Sequence, residues 1–506
     1  MKKKFILSGF VLLKFILQYL LISPIYDLQR DEYLHLDQAR HLAWGFLSVP
    51  PFTSWISWLI YMLGNSVFWI KFFPALFGAL TIVVVWKAVE ELSGSLYALI
   101  LSAVCVLFSA LLAMNTLYQP NSFDVLSWTA FYLFLIKYFK TENPKWLYAL
   151  ALVFGIGFLN KYNIIFLVIG LIPAILLTRH RKLFIQKAFY LALILGLLLI
   201  LPNLVWQYKN DFPFIKHLNE LATTQLVHVD ELEFLKSQIL YFAGALLVIL
   251  SAFYALLFYK PFEKQRAFFW AFVFTLTVFI YFKAKSYYAM GLYPVYVAFG
   301  SVFLGNILKD GWKKYLQAVL IILPLLFFML IYNVAFPNKS PEYIIKHQQA
   351  YRRLGMLRWE DGKEHALPQD FADMLGWKEL AAKVDSVCST LPNLDNTLIR
   401  CDNYGQAGAI NYYTKNKKVT AYSYNADYIH WIPLDKKIEN AVIVIDACYY
   451  TEQERQKETL FFDTVYLAAQ RINPYAREDT ISIYVLEGAK TDVNKIIRAD
   501  VEERKR

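Results

Sequence analysis

Charge is what this chain has least of. Asp, Glu, Lys and Arg together make up 18% of its 506 residues, against about a quarter in an ordinary soluble domain. A disordered chain needs the opposite balance and is excluded. Glycine is too sparse, at 20 residues, for a collagen. Cysteine is scarce too: four residues, none in CxxC spacing, which rules out a disulfide scaffold and offers no zinc-type ligand pattern. No P-loop, no GxGxxG, no Ser-His-Asp order and no nucleophilic cysteine context is visible. Internal repeats and low-complexity linkers are also missing. What fills the chain is apolar: 58% hydrophobic residues, 17% aromatic. That excess argues against a wholly soluble enzyme and for a polytopic membrane protein.

The net charge of +11 does not point to nucleic acid, because much of it lies in short loops beside apolar runs, where membrane topology accounts for it. A crossing helix needs about 20 mostly apolar residues. On that criterion the sequence predicts about eleven spans, near 5–24, 69–90, 95–113, 121–139, 147–160, 162–178, 188–205, 237–259, 266–282, 287–306 and 315–335. The run Phe5–Ile22 is too long for a signal core and is followed by Ser23-Pro24-Ile25 rather than a small-residue cleavage site, so it reads as an uncleaved first span. Residues 51–64 are apolar but short and are expected at the interface. With a cytoplasmic N-terminus, Lys2, Lys3 and Lys4, then Lys140 and Lys145, Arg179, Arg181, Lys182 and Lys187, Lys260 and Lys264, and Lys309, Lys313 and Lys314 all fall in segments expected on the cytoplasmic side. The expected architecture is mainly α. A transmembrane core occupies 1–336 with a first outer loop at 25–68, and an extracytoplasmic α/β domain occupies 337–506, with strands at 442–445 and 481–486, a helix at 374–387 and a frayed tail from Val501.

In this topology the unusual polar residues collect at outer ends of spans, which suggests a single site there. A helix from Asp31 would put Asp37, Arg40, His41 and Trp44 on one face; a structural alternative makes Asp31 an N-cap and Asp37–Arg40 a surface ion pair. Asn121 and Asp124 open the fourth span, where Asp124 either serves the site or complements the helix dipole. Lys161 lies between two spans and either faces the site or snorkels to the headgroups. Trp206 ends the seventh. Lys283 and Lys285 beside Tyr287 and Tyr288 suit a phosphate headgroup on a side poor in cations. Most other aromatic residues at span ends read as an interfacial belt. His35 and His41 lack a third metal ligand.

Carboxylates and lysines at a lipid interface fit transfer from a lipid-linked phosphosugar. Phosphate leaves readily, its developing charge needs lysine or a divalent cation, and the acceptor hydroxyl needs a base. Asp31 is the candidate base, with Glu32 or Asp37 orienting it, binding a cation or positioning the acceptor; direct attack would invert the anomeric centre.

Arg30-Asp31-Glu32-Tyr33, Asp37, Arg40-His41-Leu42-Ala43-Trp44-Gly45 and Pro50-Pro51 resemble the first-loop signature of bacterial membrane glycosyltransferases of the dolichyl-phosphate-mannose protein mannosyltransferase-like group (glycosyltransferase family 39), relatives of the lipid A aminoarabinose transferases. Asp124, Asn160-Lys161-Tyr162, Leu201-Pro202-Asn203-Leu204-Val205-Trp206-Gln207, Lys283-Ala284-Lys285-Ser286-Tyr287-Tyr288 with Leu292-Tyr293-Pro294, and Asp402-Asn403-Tyr404-Gly405-Gln406-Ala407-Gly408-Ala409-Ile410 continue the resemblance in order. It implies a GT-C fold in the bacterial inner membrane, an extracytoplasmic active site, a polyprenyl-phosphate sugar donor such as an undecaprenyl carrier, and a lipid, glycan or protein acceptor. It also implies Asp31 as base and Lys161, Lys283 and Lys285 near the donor phosphate. Ser48-Val49 stands where many relatives carry a polar residue before Pro50-Pro51, which leaves metal dependence open. A glycolipid flippase would show mid-membrane charges and paired repeats; a non-catalytic envelope-polysaccharide assembly protein is the other alternative.

Overall fold

The computed structural model describes residues 2–448 and 457–505. The chain divides into two compact units. The first comprises Met1–Ile22, Leu42–Asn338 and Glu360–Gly362; the second comprises Ser23–His41, Lys339–Trp359 and Lys363–Arg506. The division differs from the expected boundary after residue 336, because residues 23–41 of the 25–68 loop group with the C-terminal residues. Their apolar side chains are the reason: Tyr33, Leu34 and Leu36 are buried, and the Tyr33 ring lies 6.1 Å from Trp377 and 5.9 Å from both Tyr412 and Tyr413.

The first unit is built from apolar helices. Four described helical stretches are long and apolar enough to cross a bilayer: Val67–Glu91, Lys187–Lys209, Ser286–Ile307 and Gly311–Ala335. Two bent pairs would raise the count to six: Ile164–Leu176 with Arg179–Ile185, bent by 113°, and Glu231–Tyr241 with Ala243–Phe258, bent by 66°. The expected count of about eleven is not reached by this measure, chiefly because several expected spans are short or carry polar residues. Residues 95–113 form the helix Leu96–Leu107 and a separate turn at Leu111–Met114, and residues 147–178 form Lys145–Asn160 and Ile164–Leu176, broken at Lys161. Residues 51–64 give the short helix Phe52–Met62.

A soluble protein hides its apolar residues, but this unit displays many. Leu191, Leu193, Ile194, Leu197 and Leu198 are exposed along Lys187–Lys209, as are Val319, Ile322, Leu326 and Met329 along Lys314–Ala335. A helix apolar on its outer face fits lipid rather than water. Ser286–Ile307 is the interior element, 83% buried over its apolar window. Its approach to Leu246–Phe258 depends on Gly300, where a Cβ would stand 1.9 Å from the Val248 carbonyl oxygen. Small residues allow such close backbone contact between helices.

The second unit holds a five-stranded mixed sheet in the order β2-β1-β3-β5-β4, with β1 Thr397–Cys401, β2 Ala421–Ser423, β3 Asn440–Asp446, β4 Phe462–Ile472 and β5 Thr480–Ala489. β1 runs parallel to β2 and β3, while β5 is antiparallel to β3 and β4. Every residue of β3 is buried, so its continuous apolar run is that of a central strand covered on both faces. The edge strand β4 is mostly exposed along its length and carries an irregularity at Leu467/Ala469. The expected helix at 374–387 is Trp377–Thr390. Where a frayed end was expected from Val501, the described residues are helical through Val493–Lys505, with Val493, Ile497 and Val501 buried on one face. All four cysteines are free.

Gly300→Val should lower thermal stability in detergent by about 1–3 kcal/mol through overpacking. Gly196→Ala should leave it unchanged, because the nearest atom to its added Cβ lies at an ordinary 3.7 Å. Melting curves followed by size-exclusion fluorescence check this, and equal midpoints for the two variants would reject the close approach.

Candidate active site

The residues singled out from the sequence fall in both units. In the second unit the polar signature forms a short helix, Arg30–Asp37, followed by a 3-10 turn, Gln38–Arg40. The N-cap is Gln29 rather than Asp31. Its side chain accepts the Asp31 N–H at 2.8 Å, and Glu32 returns the contact by accepting the Gln29 N–H at 2.7 Å. This reciprocal cap leaves Glu32 fully buried and gives its carboxylate a structural task. The expected single face through Asp37, Arg40, His41 and Trp44 does not form, because the α-helix ends at Asp37.

Asp31 is partly exposed. One of its oxygens, Oδ1, accepts a 2.6 Å hydrogen bond from the Tyr404 hydroxyl. Burial pushes the Tyr404 phenol well above its ordinary pKa, so it stays a donor. The Arg30 guanidinium lies 4.3 Å over the Tyr404 ring. Tyr404 begins the helix Tyr404–Tyr413, capped by Asn403, whose Oδ1 accepts from the N–H groups of Gly405 and Gln406. The glycines of this motif have a packing reason: a Cβ on Gly405 would meet Arg30 Cγ at 2.6 Å, and one on Gly408 would meet Tyr33 Cβ at 2.7 Å. The Asn403-Tyr404-Gly405 run therefore brings the Tyr404 hydroxyl to Asp31. Behind it, Glu478 accepts from Asn403 and Gln406 at 2.7 and 2.8 Å, and Asp373 pairs with Arg477 at 3.1 Å. Burial pushes the Asp373 carboxyl up to about 6, opposed by Arg477 and Arg30.

Asp37 is held away from Asp31's contacts. Its Oδ2 accepts from Asn411 at 2.7 Å and from the Tyr428 hydroxyl at 2.6 Å. Burial raises its carboxyl to about 6, against the pull of Tyr428, Asn411 and Arg40. His41 stacks on Trp431 at 4.1 Å, while His35 is buried with its Nδ1 3.4 Å from Gln38 Oε1. Burial, joined by the Arg40 charge, lowers the pKa of His41. Among the described residues no three His, Cys, Asp or Glu side chains gather in a metal-holding group.

In the first unit the helix Asn121–Thr141 starts in a cluster of polar groups. Asp124 is buried and accepts from Trp128 Nε1 at 3.0 Å and Asn163 Nδ2 at 2.8 Å. Asn163 also donates to the Tyr288 carbonyl at 2.9 Å. Lys161 occupies the break between two helices, where its Nζ donates to Asn121 Oδ1 at 2.7 Å and lies 4.1 Å over the Tyr288 ring. Asp124 is near enough to attract the Lys161 ammonium, and Lys285 near enough to repel it. Lys285 itself pairs with Glu360 at 2.5 Å. Asp124, Lys161, Lys285 and Tyr288 are thus one neighbourhood. Lys283 differs: it is exposed, in left-handed backbone at φ 48°.

The 201–207 motif has a structural part in this unit. Asn203 donates to the Trp44 carbonyl at 2.7 Å and accepts from Tyr162, and Gln207 donates to the Tyr162 hydroxyl. Gly45 gives room to Trp206, whose ring would lie 2.3 Å from a Cβ there. Sequence reasoning did not assign roles to Tyr404, Asn411, Tyr428, Asp373 or Glu360. Only Tyr404 lay in a quoted motif; the others are ordinary polar residues whose importance comes from partners far along the chain.

Residues 48–206 match the family described as dolichyl-phosphate-mannose-protein mannosyltransferase. The fold is that of ArnT from Cupriavidus metallidurans bound to undecaprenyl phosphate, with a TM-score of 0.62 at 12% identity over 94% of this chain and 97% of that one. The apo form of the same protein gives 0.61 at 12% identity, over 96% and 98%. The chain has a GT-C fold, and its likeness to the mannosyltransferase family is carried by residues 48–206. Among individual relatives, lipid A galacturonosyltransferase RgtD of Rhizobium johnstonii is 24% identical over 199 residues. That match covers 37% of this chain and 41% of the relative, so the chain spans well under half the relative's length.

A raised Asp37 pKa has a defined consequence for stability. A folded carboxyl that holds its proton more tightly than the unfolded one, near 3.9, makes the folded state bind more protons between about pH 4 and 6, so its contribution falls as pH rises through that window. Asp37→Asn should flatten the loss of thermal stability between pH 4.5 and 7.5 relative to the unsubstituted chain. An unchanged pH slope would reject the assignment.

Proposed function

We propose that the protein is an inner-membrane glycosyltransferase that moves a sugar from a polyprenyl-phosphate carrier to a lipid acceptor on the extracytoplasmic side. The observation that carries the reading is the Lys161–Lys285 neighbourhood, two cations close enough to repel each other within a unit of apolar helices. Neighbouring ammonium groups in such surroundings suit an anionic ligand, and a phosphate carried on a lipid tail would reach them from the bilayer. The named ligand of ArnT and the named acceptor of RgtD support the same donor and acceptor classes. The loop charges support the orientation.

Asp31 acts as base. The acceptor oxygen bonds to the anomeric carbon as Asp31 takes its proton; the bond from that carbon to the phosphate oxygen breaks, and the electron pair stays on the phosphate. Attack opposite the leaving group inverts the centre. Tyr404, donating to Oδ1, fixes the carboxylate's direction and does not compete for the acceptor's proton. Lys161 and Lys285 balance the charge that develops on the phosphate. Asp124 is the counter-ion that keeps the Lys161 region together through Asn163 and Trp128.

Incubation of the purified chain with a panel of polyprenyl-phosphate sugars and a lipid A acceptor, with mass spectrometry for the released polyprenyl phosphate, tests the reaction; no release from any donor rejects it. Asp31→Asn should lower turnover by about 10²–10⁴-fold, the usual worth of a positioned base, with the protein still monodisperse. Lys161→Ala should weaken donor affinity more than acceptor affinity. Full turnover in the first variant, or unaltered donor affinity in the second, removes the corresponding role.

A further inference from the structure

Lys285 is not presented to solvent alone. Its Nζ sits 2.5 Å from Glu360 Oε1, with the lysine side chain 15% exposed and the glutamate 38%. Glu360 comes from a stretch of three residues, Glu360–Gly362, that groups with the helical unit although the residues on either side of it do not. The stretch is the tip of a tight turn. Trp359 N–H bonds to the Lys363 carbonyl at 2.9 Å, and Gly362 has φ +77°. The tip is seated as well: a Cβ on Gly362 would meet His228 Nδ1 at 2.8 Å, so only glycine fits that approach. The turn geometry and the His228 contact bring a carboxylate to the lysine assigned to the donor phosphate.

From this placement, we infer that Glu360 is a specificity element that separates the sugar-bearing donor from the released carrier by their charge. The inference rests on the proposed phosphate role of Lys285. A sugar phosphodiester carries a single negative charge. Once the bond to the anomeric carbon breaks and its electron pair stays on the phosphate oxygen, the carrier is a monoester with about −1.5 to −2 charges at neutral pH. Two neighbouring lysines by themselves would hold that product more tightly than the donor, and the site would fill with its own product. A carboxylate on Lys285 offsets one cation. Its repulsion is greater for the doubly charged monoester than for the singly charged diester, so it shortens the residence of the product while weakening the donor less. The greater exposure of Glu360 gives it room to turn aside as either phosphate arrives. Other charged or titratable groups near this pair include Lys161 with its counter-ion Asp124 and its ring partner Tyr288, His217 with Glu220, and His228 against Gly362.

The test compares a short-chain polyprenyl phosphate with its monomethyl ester, which has the same tail and one ionisable oxygen fewer, as inhibitors and as direct ligands of the purified full-length chain at one pH. Glu360→Gln should tighten binding of the phosphate by about tenfold, the scale of removing one nearby charge, and that of the singly charged monomethyl ester by only about three- to fivefold, because the repulsion scales with ligand charge; product inhibition should deepen to match. Glu360→Ala should reproduce the pattern, since the effect requires only loss of the charge. Equal shifts for both ligands, or no shift in either, overturn the inference. Lys285→Ala separates the two levels. If it weakens both ligands while Glu360→Gln does not discriminate, the phosphate role of Lys285 stands and the role of Glu360 falls. If Lys285→Ala changes neither, the phosphate site is misassigned and the inference falls with it.

Discussion

Inside a unit of apolar helices, water is not at hand to satisfy a charge or an amide, so a buried charge is stabilised when another part of the protein meets it. Much of the helical unit can be understood from that one demand. Lys14, in the first helix and 2% exposed, donates to Asn115 at 2.8 Å, and Asn115 passes the contact to Ser122 at 2.9 Å. Lys161 reaches Asn121, Asp124 reaches Asn163 and Trp128, and Asn160 donates to the Pro120 carbonyl. All of these partners converge on the start of the Asn121–Thr141 helix. The segment from Asn115 to Asp124 is therefore fixed from two sides, by a lysine of the first helix and by the Asn160–Asn163 break.

The second unit solves a different problem, which is how to aim a carboxylate from a helix of only eight residues. Such a helix has little stability of its own. It is held by the Gln29–Glu32 cap, by burial of Tyr33, Leu34 and Leu36, and by a partner helix whose Gly405 and Gly408 admit it at close range. That closeness puts Tyr404 on Asp31 and Tyr428 and Asn411 on Asp37. The two aspartates, indistinguishable in kind as sequence, acquire different surroundings: one with a single tyrosine donor described, the other pinned between two donors and raised in pKa.

Much of the architecture was legible from composition and pattern. Apolar runs gave the helical unit, and the two strand-length runs at 442–445 and 481–486 lie within β3 and β5. The break at Lys161 was visible as a charge between two apolar stretches. The polar run at 30–41 looked like one longer helical face, yet the helix stops at Asp37, because Ala39 and Gln38 are buried in a 3-10 turn instead of continuing the α-helical register. The structural alternative of Asp31 as N-cap does not hold either: Asp31 is the better capping residue by type, but Gln29 and Glu32 satisfy two backbone donors at once.

Sequence by itself determined the fold class of this protein, since hydropathy and motif order depend only on residue type and local spacing, and those survive translation into helices and strands. It also picked out Asp31, Asp124, Lys161 and Lys285 as residues too polar for their neighbourhoods. Tertiary structure alone decided what each of them touches. Tyr404 lies 373 positions from Asp31 and Glu360 lies 75 from Lys285. Contacts over such separations arise from packing of whole elements, which one-dimensional spacing does not encode, and it is those contacts that direct the Asp31 carboxylate and pair the Lys285 ammonium with a carboxylate.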